Sequence, residues 1–90
     1  MEENKFFEIV SNIYNNSKEF WENEFPSEFD RNLILTGNAS LFTSLELVTF
    51  LAELETELLN YQINISFLDK LIDANGKDIT ILNLYSLINE

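Results

Sequence analysis

Near the start of the chain, apolar residues recur at Phe6, Ile9, Val10, Ile13, Tyr14, Phe20 and Trp21, at spacings of three, four and seven. That stripe predicts an amphipathic helix from about Glu3 to Asn23 or Glu24. Glu2 and Glu3 suit the positive end of its dipole. Phe25-Pro26 is the expected stop, because a residue before proline is pushed out of the α region. From Pro26 to Phe42 no helical period is sustained. Leu33-Ile34-Leu35 is a short apolar run, followed by a turn at Gly37-Asn38. A strand here has no evident partner, so the segment reads as a long connection whose Leu and Ile side chains plug the core.

Thr43-Ser44-Leu45-Glu46 has the form of a capping box, with the Thr43 hydroxyl accepting from the N–H of residue 46 and Glu46 reaching back to the Thr43 N–H. A helix of good helix formers should follow, to about Asn60. Leu45, Leu47, Val48, Phe50, Leu51, Ala52, Leu54, Leu58 and Leu59 give it a wide apolar surface. Glu46, Thr49, Glu53, Thr56, Glu57 and Asn60 trace one acidic face, with Glu55 at its edge. After a connection over Tyr61–Ile65, Ser66-Phe67-Leu68-Asp69 repeats the cap signature and opens a brief helix to about Ile72. Asp73-Ala74-Asn75-Gly76 reads as a turn. An EF-hand loop with Gly76 at position six would place Leu71 and Leu82 at the first and last ligand positions, so calcium binding of that type is rejected. Thr80 should cap a last helix carrying Ile81, Leu84, Tyr85, Leu87 and Ile88. The sum is a small all-α four-helix bundle, with three longer helices, one short helix and a long loop between the first two.

Composition narrows the function more than the fold. Ninety residues fit a single domain spanning 1–90. A net charge of −11 repels phosphate backbones and anionic membrane surfaces, so neither nucleic acid nor membrane is an expected partner. The chain has no Cys and no His. That removes thiolate chemistry, the usual zinc ligands and the commonest general base. Two glycines leave no room for a phosphate-cradling Gly-rich loop. No catalytic residue and no metal site are expected. Without a basic, apolar leader or a run of about 18 apolar residues, the expected location is the cytoplasm.

The strongest local signal is Ser44. Thr43 does the capping, so a hydroxyl at the next position faces solvent near unpaired N–H groups and the positive end of the dipole. That setting favours a negative group such as a phosphodiester. With no base partner, Ser44 reads as a modification site written by another enzyme rather than as a nucleophile.

These residues resemble the acyl carrier proteins, whose second helix opens Asp-Ser-Leu and continues with apolar residues three, six, nine and thirteen positions after the Leu. Here the run is Thr43-Ser44-Leu45, then Val48, Leu51, Leu54 and Leu58. Ile63-Asn64-Ile65 is similar to the family's segment before helix three, and Ile79-Thr80-Ile81 with Leu84 and Ile88 to its last helix. The resemblance implies a four-helix bundle of acyl-carrier-protein type and a covalent 4′-phosphopantetheine at Ser44, added from coenzyme A by a phosphopantetheinyl transferase. It implies a monomer that holds an acyl or aminoacyl thioester and serves acyl-loading and acyl-transfer enzymes, without catalysis of its own. Thr43, Leu45, Glu46, Glu53 and Glu57 would meet those partners, and Leu47 and Phe50 would line an acyl-receiving cleft or simply fill the core. Thr43 stands where the family has Asp, which keeps a capping side chain but removes a charge. Other readings stay open: an unmodified carrier-like fold acting as an acidic interaction module, an acidic mimic of DNA, and independent catalysis.

Overall fold

Helix α1 covers Glu3–Ser17 in the computed structural model, which describes residues 1–71 and 78–88. Its stripe is buried as the spacing requires, through Phe6, Phe7, Ile9, Val10, Ile13 and Tyr14. The helix ends earlier than the expected Asn23 or Glu24. Lys18–Phe20 tighten into a single 3₁₀ turn, and Trp21 is extended at φ −85°, ψ 149°. Packing explains the correction. Continuing a helix gains at most about 0.3 kcal/mol per residue, whereas even the partial burial of the Trp21 ring gains on the order of 1–2 kcal/mol. The break swings the Trp21 ring against Phe25, Phe42, Tyr14 and Phe50, at centroid distances of 4.6, 4.9, 5.6 and 5.9 Å. The Tyr14 hydroxyl and the Lys18 ammonium donate to the Pro26 and Ser27 carbonyls, which draws the following chain back across the helix end. Phe20, placed on the core stripe by its spacing, is instead 79% exposed.

Helix α2, Ser44–Leu59, buries Phe50, Leu51, Leu54 and Leu58 against α1 and the rest of the core. Its apolar surface is narrower than the pattern suggested: Leu45, Val48, Ala52 and Leu59 face solvent. A left-handed Gln62 (φ 63°) terminates the helix. The N–H of Ile63 donates to the Leu58 carbonyl at 3.0 Å and that of Gln62 to the Leu59 carbonyl at 2.9 Å, the paired bonds of a Schellman motif.

Helix α3 is one short turn-and-a-half, Phe67–Leu71, anchored by the fully buried Phe67. The Phe67 N–H donates to Glu55 Oε2 of α2 at 3.2 Å, so a glutamate from the neighbouring helix serves its start. The expected end near Ile72 and the expected turn at Asp73–Gly76 lie outside the described residues. Helix α4, Ile81–Ile88, buries Ile81 and Leu84. Its first turn is capped reciprocally: the Asn83 N–H donates to Thr80 Oγ1 at 3.3 Å, and the Thr80 N–H to Asn83 Oδ1 at 2.9 Å.

The long connection does find a partner for its apolar run. Ile34 and Thr80 form an isolated antiparallel bridge. The Leu35 N–H donates to the Ile79 carbonyl at 2.7 Å, and the Ile81 N–H to the Leu33 carbonyl at 3.2 Å. Leu35 is buried and Leu33 packs against the core, as expected, whereas the half-buried Ile34 is outside it. Gly37, at φ 96°, turns the chain where Asp78 comes close, and a Cβ there would lie 1.9 Å from Asp78 Oδ1. Among the described residues the architecture is therefore a small all-α fold of four α-helices and no strand beyond that bridge.

Candidate functional site at the mouth of helix α2

The capping box is formed as its sequence demands. The Glu46 N–H donates to Thr43 Oγ1 at 3.2 Å, and the Thr43 N–H returns to Glu46 Oε1 at 3.0 Å. The second carboxylate oxygen of Glu46 is also engaged, accepting from the Glu22 N–H at 2.7 Å. Those backbone donors, Thr43 first and Glu22 second, hold the Glu46 carboxyl below its ordinary value. Nothing in the local pattern announces the second bond, because its donor is 24 residues away. Glu46 thus ties the chain after α1 to the first turn of α2. A further strut runs from Asn23 Nδ2 to the Leu41 carbonyl at 2.7 Å.

Ser44 is the first residue of α2 and is exposed. With Thr43 capping the Glu46 N–H, the N–H groups of Ser44 and Leu45 remain at the helix start, where no intrahelical carbonyl reaches them. The hydroxyl therefore stands beside two backbone donors and the positive end of the dipole. Leu45 flanks it at 77% exposure. Thr43 is half-buried behind it.

Glu53 and Glu57 lie exposed about two and a half and three and a half turns beyond Ser44 along α2. The helix carries four glutamates and no basic residue. Glu55 is half-buried and committed to the Phe67 N–H, so it belongs to the fold rather than to the open face. Positive charge elsewhere in the fold is consumed locally, although Lys5 shares a cleft lining with Glu57. Arg31 pairs with Glu3 at 3.0 Å and lies over the Phe7 ring, and Lys5 pairs with Glu8 at 3.8 Å. The exposed face of α2 is left strongly negative.

Phe50 is buried and Leu47 half-buried against the core. Phe50 also forms the floor of a cleft of about 270 Å³ between the end of α1 and the start of α2, with Phe20, Trp21, Leu45 and Thr49 around it and Glu46 and Glu53 among its lining. Trp21, Phe25 and Phe42 pack on one another at the end of α1, with Phe25 and Phe42 at 4.8 Å.

Among the described residues no group of three acidic side chains is arranged to hold a metal ion, and no helix is long and apolar enough to cross a membrane. Compared with protein-family models, curated proteins and solved structures, the chain matches none.

Proposed function

We propose that this chain is an acyl carrier protein that holds an acyl or aminoacyl thioester on a 4′-phosphopantetheine arm at Ser44. The observation that carries the reading is the division of labour between neighbouring hydroxyls: Thr43 caps the helix, and Ser44 is exposed and surplus to it. The setting suits a phosphodiester, since the unbonded Ser44 and Leu45 N–H groups and the positive end of the dipole lie at the same helix start. The Glu46 carboxylate is an adverse charge in the same first turn, and its two hydrogen bonds hold it back against Thr43 and Glu22.

In the transfer, the Ser44 oxygen bonds to the phosphorus of coenzyme A next to the pantetheine. Adenosine 3′,5′-bisphosphate leaves, and the Ser44 proton passes to the transferase, because the chain has no His to take it. The bound arm supplies a terminal thiol on which cargo forms a thioester. The chain's own part is to keep the attachment oxygen outward and the helix mouth rigid. Exposed Glu53 and Glu57 steer basic partner enzymes to the α2 face of the molecule, mainly through the association rate. Salt should weaken those encounters.

Intact-mass measurement after incubation with coenzyme A and a broad-specificity phosphopantetheinyl transferase tests the proposal. One added phosphopantetheine, lost in Ser44→Ala, is the expected result; an unchanged mass refutes it. The replacement of the family's Asp by Thr43 favours one second reading, an unmodified carrier-like fold acting as an acidic interaction module, and an unchanged mass would leave that one standing.

A further inference from the structure

The cleft beside Ser44 has a chemistry that the carrier reading does not use. Its walls are the rings of Phe20, Trp21 and Phe50 and the side chain of Leu45, and two carboxylates, Glu46 and Glu53, share its lining. Phe20 and Leu45 stand on either side at 79% and 77% exposure, apolar groups held in water rather than turned into the core. The two carboxylates differ. Glu46 already accepts from two backbone N–H groups, whereas Glu53 is exposed and forms no ion pair among the described residues. Lys18, the nearest cation in sequence, is directed at the Ser27 carbonyl and the Tyr14 ring.

Size and charge together select a ligand class. A dry cavity of about 150 Å³ accepts a benzene ring, so about 270 Å³ takes one ring with a short chain. Aromatic faces attract an ammonium group electrostatically, and carboxylates at the same opening favour a cation and repel an anion.

We infer that this cleft binds a small aromatic ammonium compound, with its ring between Phe20, Trp21 and Phe50 and its ammonium at Glu53. The ligand is either a free arylalkylamine or the aminoacyl end of a group carried on Ser44. Only the second source rests on the carrier reading.

Trp21 is the chain's single tryptophan, so its emission reports directly on the cleft. The unmodified protein is titrated with 2-phenylethylamine, 2-phenylethanol and 3-phenylpropionate, which share a ring and a short chain and differ in charge. The amine should give a saturable change with a Kd on the order of 1 mM, as befits a shallow site. The alcohol should bind about three-fold more weakly and the carboxylate more weakly still. Glu53→Gln should cost the amine about three-fold and leave the alcohol unchanged. Phe20→Ser, a change at an exposed position that the fold tolerates, should weaken both. Equal responses to all three probes, absence of saturation, or an amine response indifferent to both variants overturns the inference.

Repeating the amine titration on protein bearing a phenylalanyl-loaded arm separates the sources. A lost response means that the tethered group occupies the cleft, and a retained one assigns it to free amines. Failure to load the arm speaks against the carrier reading alone, because the titration of the unmodified chain stands without it.

Discussion

Thr43 and Ser44 are adjacent hydroxyl residues with opposite stakes in the fold, and substituting each with alanine separates them. Thr43→Ala removes the acceptor for the Glu46 N–H and breaks one half of the capping box. Loss of such a cap costs about 1 kcal/mol, within a range of roughly 0.5–2. A chain of 90 residues has a total stability of about 5–13 kcal/mol at typical values per residue. The loss is therefore a sizeable share. With a urea slope of about 1 kcal/mol per molar for a domain of this size, the unfolding midpoint should fall by about 1 M with the slope unchanged. Trp21 emission follows the transition, since that ring lies in the cluster where α1 and α2 meet. Ser44→Ala should stay within about 0.5 kcal/mol of the parent, because the exposed hydroxyl caps nothing and alanine is a good helix former. Thr43→Asp should keep the cap and lie near the parent as well. If Ser44→Ala falls as far as Thr43→Ala, the Ser44 oxygen is structural, and the case for a surplus hydroxyl fails.

Three further expectations come from the frame around the site. Gly37→Ala should cost roughly 1–3 kcal/mol, mostly from its φ of 96°, since the exposed Asp78 carboxylate can swing aside; a thermal melt that does not move contradicts this. Gln62→Gly should raise stability by about 0.5–1 kcal/mol, as glycine relieves the left-handed position and gives part of that back through a freer unfolded chain; the urea midpoint reads it. Glu46 is lowered from an ordinary 4.5 by its two backbone donors, so its contribution is present above that pH and is lost as pH falls through the lower folded value. Glu46→Gln should flatten this part of the acid dependence, and an acid titration of stability identical to the parent's would show that the bonds to Thr43 and Glu22 carry no net weight.

What the sequence made legible here was local. The capping boxes at Thr43 and Thr80 are written within four residues, and both form. The buried faces of α1 and α2 follow from the 3.6-residue period over most of their length. The misses are contacts between distant residues. A periodic stripe could not show that Trp21 gains more from Phe42 and Phe50 than from another helical turn, or that Phe20 would consequently turn outward. Glu46 and Glu55 read as members of an acidic face, yet each accepts a backbone N–H from another segment. The Leu33–Leu35 run lacked an evident partner because Ile79–Ile81 sits at the other end of the sequence. At the candidate site, Ser44 and its exposure were legible through the cap next to it, while the cleft was not, because its two walls come from different helices.

The bridge between Ile34 and Thr80 also bears on how the molecule assembles. Helical proteins fold fast because their contacts are short in sequence, but here the Ile79 N–H meets Thr36 Oγ1 across 43 residues. The Leu33–Thr36 stretch cannot make its backbone bonds until Ile79–Ile81 has arrived, and loop closure of that span must be met before those contacts form. Refolding should accordingly be slower than the helix content alone would suggest, and the final ordering of the α1–α2 connection should coincide with the docking of α4.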